Sequence, residues 1–481
     1  MNLSADFKKM IELILKERPE IGAENIRELI DEKKRKIGAG YLTDQGALFL
    51  VGADLGVSFE NVPKMQAGLK DLYIGAKQIT VSARILNIYP VHTFLKKSTN
   101  EEVKSRTLTV YDKEATVRVK LWDNLVNLPD EIGLQPGDLI KISNAYIRSG
   151  LDGKPIVTLS SEGTIEPMPQ QEDAIPSIES ITIPVDNVDQ IRDSVVISGK
   201  VNSVPRISEF NNSRGEVTKS LQMQISNTDN TRSMRVIIWN IDEEKIPKIF
   251  NIGMSVRLLG VKVKQGNPQY GSGDLEIHGD EGTVLEISDS QSEIEPMVLR
   301  MISIGKKTGR GNLHCLAVDS TGRFLSMIID HTLVSNDLKA NAMIECMPSR
   351  ILATSIIISK NDSYIRTIGD DPSFPTFSKY ETKIKDIQIS ENPYVVEAIV
   401  LQAPNQMEVN TKTRGTVSVT DTLLGDDTGE IRLVGWRENS ESVNELSVGD
   451  RIRVAGVTAN TGMEGKIELT LRAYSSIYKI S

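Results

Sequence analysis

The chain has only two cysteines, Cys315 and Cys346. A disulfide scaffold and a four-cysteine zinc ribbon are therefore excluded. Long hydrophobic runs are also missing. No apolar stretch approaches the roughly 18 residues of a membrane-spanning helix, so no membrane partner is expected. The opening MNLSADFKKM has no basic stretch followed by an apolar one, so no signal peptide is expected. Positive charge is not in excess. The net charge is −9, which excludes a uniformly basic surface and confines any nucleic-acid site to a local basic face. Aromatic residues are scarce at 5 %, with three Trp, so the position of each Trp is informative.

Catalytic signatures are missing as well. No G-x-x-x-x-G-K-[ST] occurs, and GKKTG at 305–309 lacks the upstream glycine of a phosphate-binding loop. The histidines His92, His278, His314 and His331 follow no metal-ligand spacing. His314, Cys315, His331 and Cys346 fall within one segment and are read as core or surface residues. Asp426 and Asp427 stand in a turn beside Gly429, where Asp is favoured for backbone reasons. No enzyme, metal or cofactor is expected.

What is present fits a chain of several globular domains. Hydrophobic residues make up 39 % and charged residues 25 % of 481 positions, which argues against wholesale disorder and predicts several domains of about 100–200 residues each. Residues 1–60 read as a small helical domain. Ser4 is placed to cap a helix carrying Phe7, Ile11, Ile14 and Leu15, and Pro19 ends it. A second helix carries Ile26, Leu29 and Ile30, followed by the charge run DEKKRK at 31–36. A third starts near Thr43 with Leu48, Phe49 and Leu50.

From about residue 74 the pattern changes to short alternating runs such as QITVSARILNI, LIKISNAYI and RIRVAGV, punctuated by Gly, Asn, Asp and Pro. These are strand signals at the spacing of small barrels. Segments rich in Pro, Ser and acids at 166–180, 287–295 and 369–378 read as linkers. The predicted domains are 70–168, 178–288, 294–368 and 378–481.

These pieces repeat one another. A strand ends in Trp at RVKLW (118–122), RVIIW (235–239) and RLVGW (432–436). Arg118, Arg235 and Arg432 each precede Trp122, Trp239 and Trp436 by four residues. The glycine turns at Gly137, Gly253 and Gly449 follow their Trp by 15, 14 and 13 residues. A third, degenerate copy fills 294–368. There DSTGRFLSMII (319–329) aligns with DDTGEIRLVGW (426–436), placing Leu325 at the Arg position and Ile329 at the Trp position. Five strands with a short helix between the third and fourth describe an OB-fold. The expected fold class is mainly β: four tandem OB-fold barrels behind a helical domain.

Alternation then assigns faces. Val117, Val119 and Leu121 point one way, and Arg118, Lys120 and Trp122 the other. Burying the charged set is costly, so Trp122 is expected outside, beside Arg118 and Lys120. Trp436 and Arg432 follow the same rule. Arg235, Ile237 and Trp239 share a face, but aliphatics lie on both sides of that strand. An exposed Trp with an Arg roughly 13 Å along the strand suits a single nucleic-acid strand, with a base on the indole and a phosphate on the guanidinium. The competing reading is a Trp that caps the barrel beside a merely solvated Arg; repetition in three modules favours the first. Loops between the first and second strands add Phe94 with Arg106 on the strand that follows, then Arg206 and Phe210, then Met407, Lys412 and Arg414. Tyr270 lies in a glycine-rich loop between the fourth and fifth strands. Aromatics interleaved with basic residues suit a clamp over a single strand.

With these strands and the PGD-like turns that follow them, the chain is similar to the replication protein A family of single-stranded DNA-binding proteins, most of all to its archaeal version. The resemblance implies sequence-independent single-stranded DNA binding in replication, recombination and repair, in the cytoplasm at the nucleoid. It implies base stacking on Trp122, Trp239 and Trp436, and a grip by Phe94, Arg206, Phe210, Arg414 and Tyr270. It also implies partners: further subunits, and replication or repair proteins such as a primase, polymerase or nuclease. Many relatives carry a zinc ribbon that this chain lacks, which leaves the third module as a spacer or a partner-binding barrel. The alternatives are an RNA-binding OB protein and an OB-fold protein-interaction scaffold.

Overall fold

The computed structural model describes residues 5–37, 44–57, 68–95, 101–169, 175–211, 215–267, 273–288, 293–309, 311–335, 338–360, 363–411, 415–462 and 465–480. Three helices open the chain: α1 (Ala5–Glu17), α2 (Ala23–Ile37) and α3 (Asp44–Asp54). Phe7, Met10 and Ile14 of α1 meet Ile26 and Ile30 of α2 and Leu48 and Val51 of α3 in one core. The run DEKKRK belongs to α2, where Lys33 and Lys34 reach Asp54 and Asp44 at 2.5 and 2.6 Å. Ser4 lies outside the described residues.

Four β-sheets follow. Barrel 1 has five main strands: Ile79–Ile88, Glu102–Tyr111, Thr116–Trp122, Leu139–Ser149 and Pro155–Pro167. The first strand pairs with both the second and the fourth, and the third runs parallel to the fifth. That closed order is the OB-fold. Barrel 2 (Arg192–Val201, Val217–Ser226, Ser233–Trp239, Ser255–Gln265, Leu275–Gly279) and barrel 4 (Ser390–Val400, Gly415–Gly425, Glu430–Trp436, Arg451–Thr461, Ile467–Lys479) repeat it. In barrel 3 the strands are Met297–Lys307, Asn312–Val318, Phe324–Asp330, Met343–Met347 continuing as Arg350–Leu352, and Ser355–Ile358. The helix expected after the third strand forms in barrel 1 (Leu128–Glu131) and barrel 4 (Glu438–Asn444). Among the described residues, barrels 2 and 3 have only 3-10 turns there, Glu243–Lys245 and His331–Leu333.

Alternation decides which side of each third strand enters its barrel. Val119 and Leu121, Val236 and Ile238, and Ile431 and Leu433 are buried in their cores. Turning such a strand over would expose each apolar side chain at about 1.5–3 kcal/mol and bury charges in exchange.

The described parts of the first and third linkers are packed against the barrels. Ile178 of the first joins Leu86, Tyr111, Val196 and Leu259 in a cluster between barrels 1 and 2. Buried Arg84 donates to the Ile175 and Gly137 carbonyls at 3.1 and 2.9 Å. Asn87 donates to the Gly282 carbonyl at 2.9 Å. Gly260, at φ +74°, lies so close that an added Cβ would stand 2.6 Å from Asn87. Between barrels 3 and 4, Ile302, Leu316 and Val318 meet Val395 and Ala455. Arg300, 1 % exposed, bonds the Asn341 and Asp371 carbonyls at 2.9 and 3.0 Å, so the linker at 369–378 is anchored too.

Barrels 2 and 3 are joined by main chain. Instead of continuing as a helix, the segment after Glu243–Lys245 runs extended beside Arg350–Leu352. The Ile351 N–H donates to Lys248 O at 2.7 Å and the Phe250 N–H to Ile351 O at 2.8 Å. The Arg350 guanidinium donates to the carbonyls of Glu243, Ile246 and Pro247. Removing it leaves acceptors unpaired and loses charge-assisted bonds worth about 1.5–3 kcal/mol each. Arg350→Ala is expected to accelerate limited proteolysis within 246–250 while circular dichroism of the barrels is kept. Unchanged cleavage would contradict this role.

Candidate nucleic-acid interface

The third strand of barrel 1 presents Arg118, Lys120 and Trp122 outward. The Lys120 ammonium stands 5.6 Å from the centroid of the Trp122 ring and donates to Thr107 Oγ1 at 3.1 Å. Burial of its stem, and then the charge of Arg118, lowers the Lys120 pKa. Phe94 comes from a short strand, His92–Leu95, that extends the sheet beyond the second strand. Its ring meets Trp122 edge to face, with centroids 5.9 Å apart and planes at 80°. Phe94 is 43 % exposed, so the pair is held in place but open to solvent.

Barrel 2 repeats the pair. Phe210, on the added strand Arg206–Asn211, meets Trp239 edge to face at 5.2 Å and 87°. The register explains the match. Trp122 lies opposite Ser105 and His92, with Phe94 two residues on. Trp239 lies opposite Ser220 and Ser208, with Phe210 two residues on. In barrel 4, Trp436 lies opposite Val419 and Met407. Val409 takes the Phe position there, and exposed Met407 flanks the row. The predicted loops are thus hairpin arms, and the aromatic arm is built twice. Arg206 is exposed on its arm. Tyr270, Lys412 and Arg414 lie outside the described residues.

Three of the predicted arginines have carboxylate partners within the protein. Arg106 bonds Asp130 through both terminal nitrogens, at 2.6 and 3.0 Å, and the carbonyls of Tyr89 and Val126 at 2.9 and 3.2 Å. Its side chain is only 12 % exposed. It fastens the first-to-second-strand connection to the helix. Arg432 is held by Asp421 and Glu468, both at 2.9 Å. Arg235 meets Glu276 at 3.4 Å, and Glu276 in turn meets His278, which accepts the Trp239 indole N–H at 3.3 Å. These glutamates occupy one position: the fifth-strand residue opposite the Arg in the parallel pair. In barrel 1 that residue is Ile156, so Arg118 stays exposed without such a carboxylate.

Barrel 3 departs most. Its turn from Asp319 to Arg323 is one residue longer than the turn from Asp426 to Gly429 in barrel 4. One extra residue flips every following side chain. Leu325 and Ile329 therefore enter the core, and Ser326, Ile328 and Asp330 take the outer positions of Arg, aliphatic and Trp. The alignment that placed Ile329 at the Trp position is corrected to Asp330. Only four residues separate the first two strands, and two separate the last two, so neither connection has the length of its counterpart in barrel 1. The outer face is also occupied: Leu352 and Ile357 pack on the core of barrel 2, beside the Arg350 joint.

The sequence reading missed cations on the fourth and fifth strands. Arg148 and Lys264 pair with Ile156 and Glu276 in the same rows as Arg118 and Arg235. Arg472 in barrel 4 is exposed, two residues past Thr470, and donates to Thr458 Oγ1 at 2.7 Å. Pairing across strands signals them; strand sequence alone does not.

No family model matches the chain. It is similar to Replication factor A of Methanothermobacter thermautotrophicus, 25 % identical over 449 residues, which covers 83 % of this chain and 54 % of that protein. The chain thus spans about half the length of this curated relative, and the likeness to replication protein A runs along most of the chain. Among solved structures, a replication protein A heterotrimer bound to single-stranded DNA aligns with 86 % of this chain and 96 % of its own at 11 % identity and a TM-score of 0.37. A replication factor A related protein from Methanobacterium thermoautotrophicum aligns with 22 % of this chain and 94 % of its own, at 24 % identity and a TM-score of 0.20.

Ile156→Glu gives barrel 1 the carboxylate that barrels 2 and 4 carry. Fluorescence anisotropy with oligo(dT) is expected to show weaker binding and a salt slope shallower by ~0.7, the value for one phosphate contact on a single strand. An unchanged slope would remove Arg118 from the interface.

Proposed function

We propose that this chain binds single-stranded DNA without sequence preference, on the outer faces of barrels 1, 2 and 4. The observation that carries this reading is the placement of all three Trp at one register position, each partly exposed. Trp239 and Trp436 are 38 % and 40 % exposed. An indole in that place stacks on any base, because every base has a π-face, and each stacked base contributes roughly 1–3 kcal/mol. Phe94 and Phe210 form T-shaped pairs with Trp122 and Trp239, which restrains the rings before binding and reduces the ordering cost.

Phosphates would meet Arg118, Lys120 and Arg148 on barrel 1, Arg206 and Lys264 on barrel 2, and Arg472 on barrel 4. Lys412, Arg414 and Tyr270 keep their proposed place on the loops. Arg235 and Arg432 are neutralised by Glu276 and Glu468 and serve chiefly to keep the face polar and ordered. Three faces in one chain raise one another's effective concentration. At roughly 4–16 nucleotides per barrel, they would cover roughly 12–48 nucleotides. Duplex DNA would bind weakly, since its bases are not free to stack. Barrel 3 is assigned a joining role.

Protection of single strands in replication, recombination and repair is the process this chemistry serves. Other subunits, a primase, a polymerase or a nuclease would be its partners, and the nucleoid its location. Nothing in the site calls for catalysis. Preference for DNA over RNA is part of the proposal, and competition between oligomers of equal sequence tests it.

Intrinsic Trp fluorescence is the direct probe. Titration with about 30 nucleotides of oligo(dT) is expected to quench it strongly, less so at high salt, with little effect from duplex. Trp122→Ala, Trp239→Ala and Trp436→Ala are each expected to weaken binding roughly 5- to 150-fold. Unchanged affinity in all three would replace the proposal with a protein-interaction scaffold.

A further inference from the structure

The joint between barrels 1 and 2 is built a second time between barrels 3 and 4. Ile85 and Met301 hold one place in their first strands, each accepting a turn N–H, from Gly137 and Asn341. Just before them stand the buried Arg84 and Arg300. Just after them stand Leu86 and Ile302, packed on the next barrel. One residue further, Asn87 donates to Gly282 O at 2.9 Å and Ser303 to Tyr474 O at 2.5 Å. The docked barrels match as well. Val196 and Leu259 in barrel 2 have Val395 and Ala455 as counterparts in barrel 4. The glycines that follow on the fourth strand, Gly260 and Gly456, have φ of +74° and +77°, and an added Cβ on either would collide with Asn87 or Ser303.

Barrel 4 carries the same docking face uncovered. Its Val400 accepts the Gly449 N–H, so Ile399 stands at the place of Arg84 and Leu401 at the place of Leu86. Leu86 and Ile302 are 1 % and 0 % exposed, whereas Ile399 and Leu401 are 47 % and 40 % exposed. A Cβ added to Gly137 would meet Ile178 of the linker at 3.3 Å, and one added to its counterpart Gly449 would meet no described residue within 4 Å. Barrel 2 serves as the control. There Val201 accepts the Gly253 N–H, and the two places hold Lys200 and Asn202. The face that docks no barrel is polar, and the two that dock one carry a buried aliphatic. Barrel 4 has the aliphatic without the cover, and adjoining exposed apolar side chains mark an interaction site. We propose that this face docks an OB barrel of another subunit.

Two observations select that occupant. Arg84 and Arg300 each hold a carbonyl of the linker that leads to the docked barrel, at Ile175 and Asp371. Ile399 cannot hold a linker in this way, which suits a barrel that arrives without one. The complementary edge, with its glycine of positive φ, belongs to barrels 2 and 4 and is engaged within the chain. Barrel 1 has Thr80, Ser143 and Asn144 at the places of Val196, Leu259 and Gly260, and the fourth strand of barrel 3, 343–352, contains no glycine. A second copy of this chain therefore offers no matching free edge. The proposal deepens the reading that further subunits join the chain, and it rests on the joints rather than on the Trp faces.

The test uses the full chain with the photo-cross-linker p-benzoylphenylalanine in place of Val448, an exposed residue beside Gly449. It is irradiated in a lysate of the cells that make it, and the cross-linked peptides are sequenced. Adducts on the first or fourth strand of an OB barrel in another polypeptide are expected. Ile399→Lys combined with Leu401→Asn copies the residues of barrel 2, so barrel 4 keeps its fold, which thermal melting checks. That variant is expected to lower the adduct yield roughly tenfold or more, as the loss of a central interface anchor does, and to leave oligo(dT) anisotropy unchanged. Adducts on a second copy of this chain, on its own helical domain or on any other surface overturn the proposal. An unchanged yield in the variant, or no adduct at all, overturns it too. Failure of the unsubstituted chain to bind oligo(dT) would remove the single-strand reading and leave this docking face standing.

Discussion

Everything on the proposed binding face depends on the two-residue period of one short strand. The third strand of each barrel runs parallel to the fifth, and its alternate residues fill the core. Once Val119, Leu433 or their equivalents are buried, the residues beside them have no choice of side. Arg, Lys and Trp are outside because aliphatics are inside, and inverting the set would bury charge. The same rule explains the exception. A turn longer by one residue between Asp319 and Arg323 reverses the parity in barrel 3. A carboxylate, Asp330, then stands where an indole would.

That reversal gives barrel 3 a different use. Its outer face, flanked by short connections, lies against barrel 2 through Leu352 and Ile357. Arg350 closes the joint on the main chain that follows Trp239. Barrels 1 and 2 and barrels 3 and 4 likewise meet through apolar clusters, while buried Arg84 and Arg300 hold the linkers at Ile175 and Asp371. The described barrels thus form a contacting series. A strand bound along them would meet faces that are already positioned, which lowers the ordering cost of binding.

Much of this is legible in the sequence. The Arg-x-x-x-Trp strands, the glycine turns and the hydrophobic alternation are local, and they give the fold and the position of each Trp. Phe94 and Phe210 are also visible, although their pairing with Trp needs the register of a neighbouring strand. Long-range partners are what the sequence hides. Arg106 and Arg118 look equally suited to a phosphate until Asp130 and Ile156 come beside them. Glu276 and Glu468 lie 41 and 36 residues from the arginines they neutralise, and nothing local marks them. The linkers read as tethers because Pro, Ser and acids usually are, yet Ile178 and Phe374 are buried.

The central claim is that a single strand lies on three of the four barrel faces and passes by the third. Hydrogen–deuterium exchange of the whole chain, with and without about 30 nucleotides of oligo(dT), measures all four faces at once. The account predicts slowed exchange around Thr116–Trp122, Ser233–Trp239 and Glu430–Trp436, with Phe324–Asp330 unchanged. Slowing centred on Phe324–Asp330, or none at the three Trp strands, would contradict it.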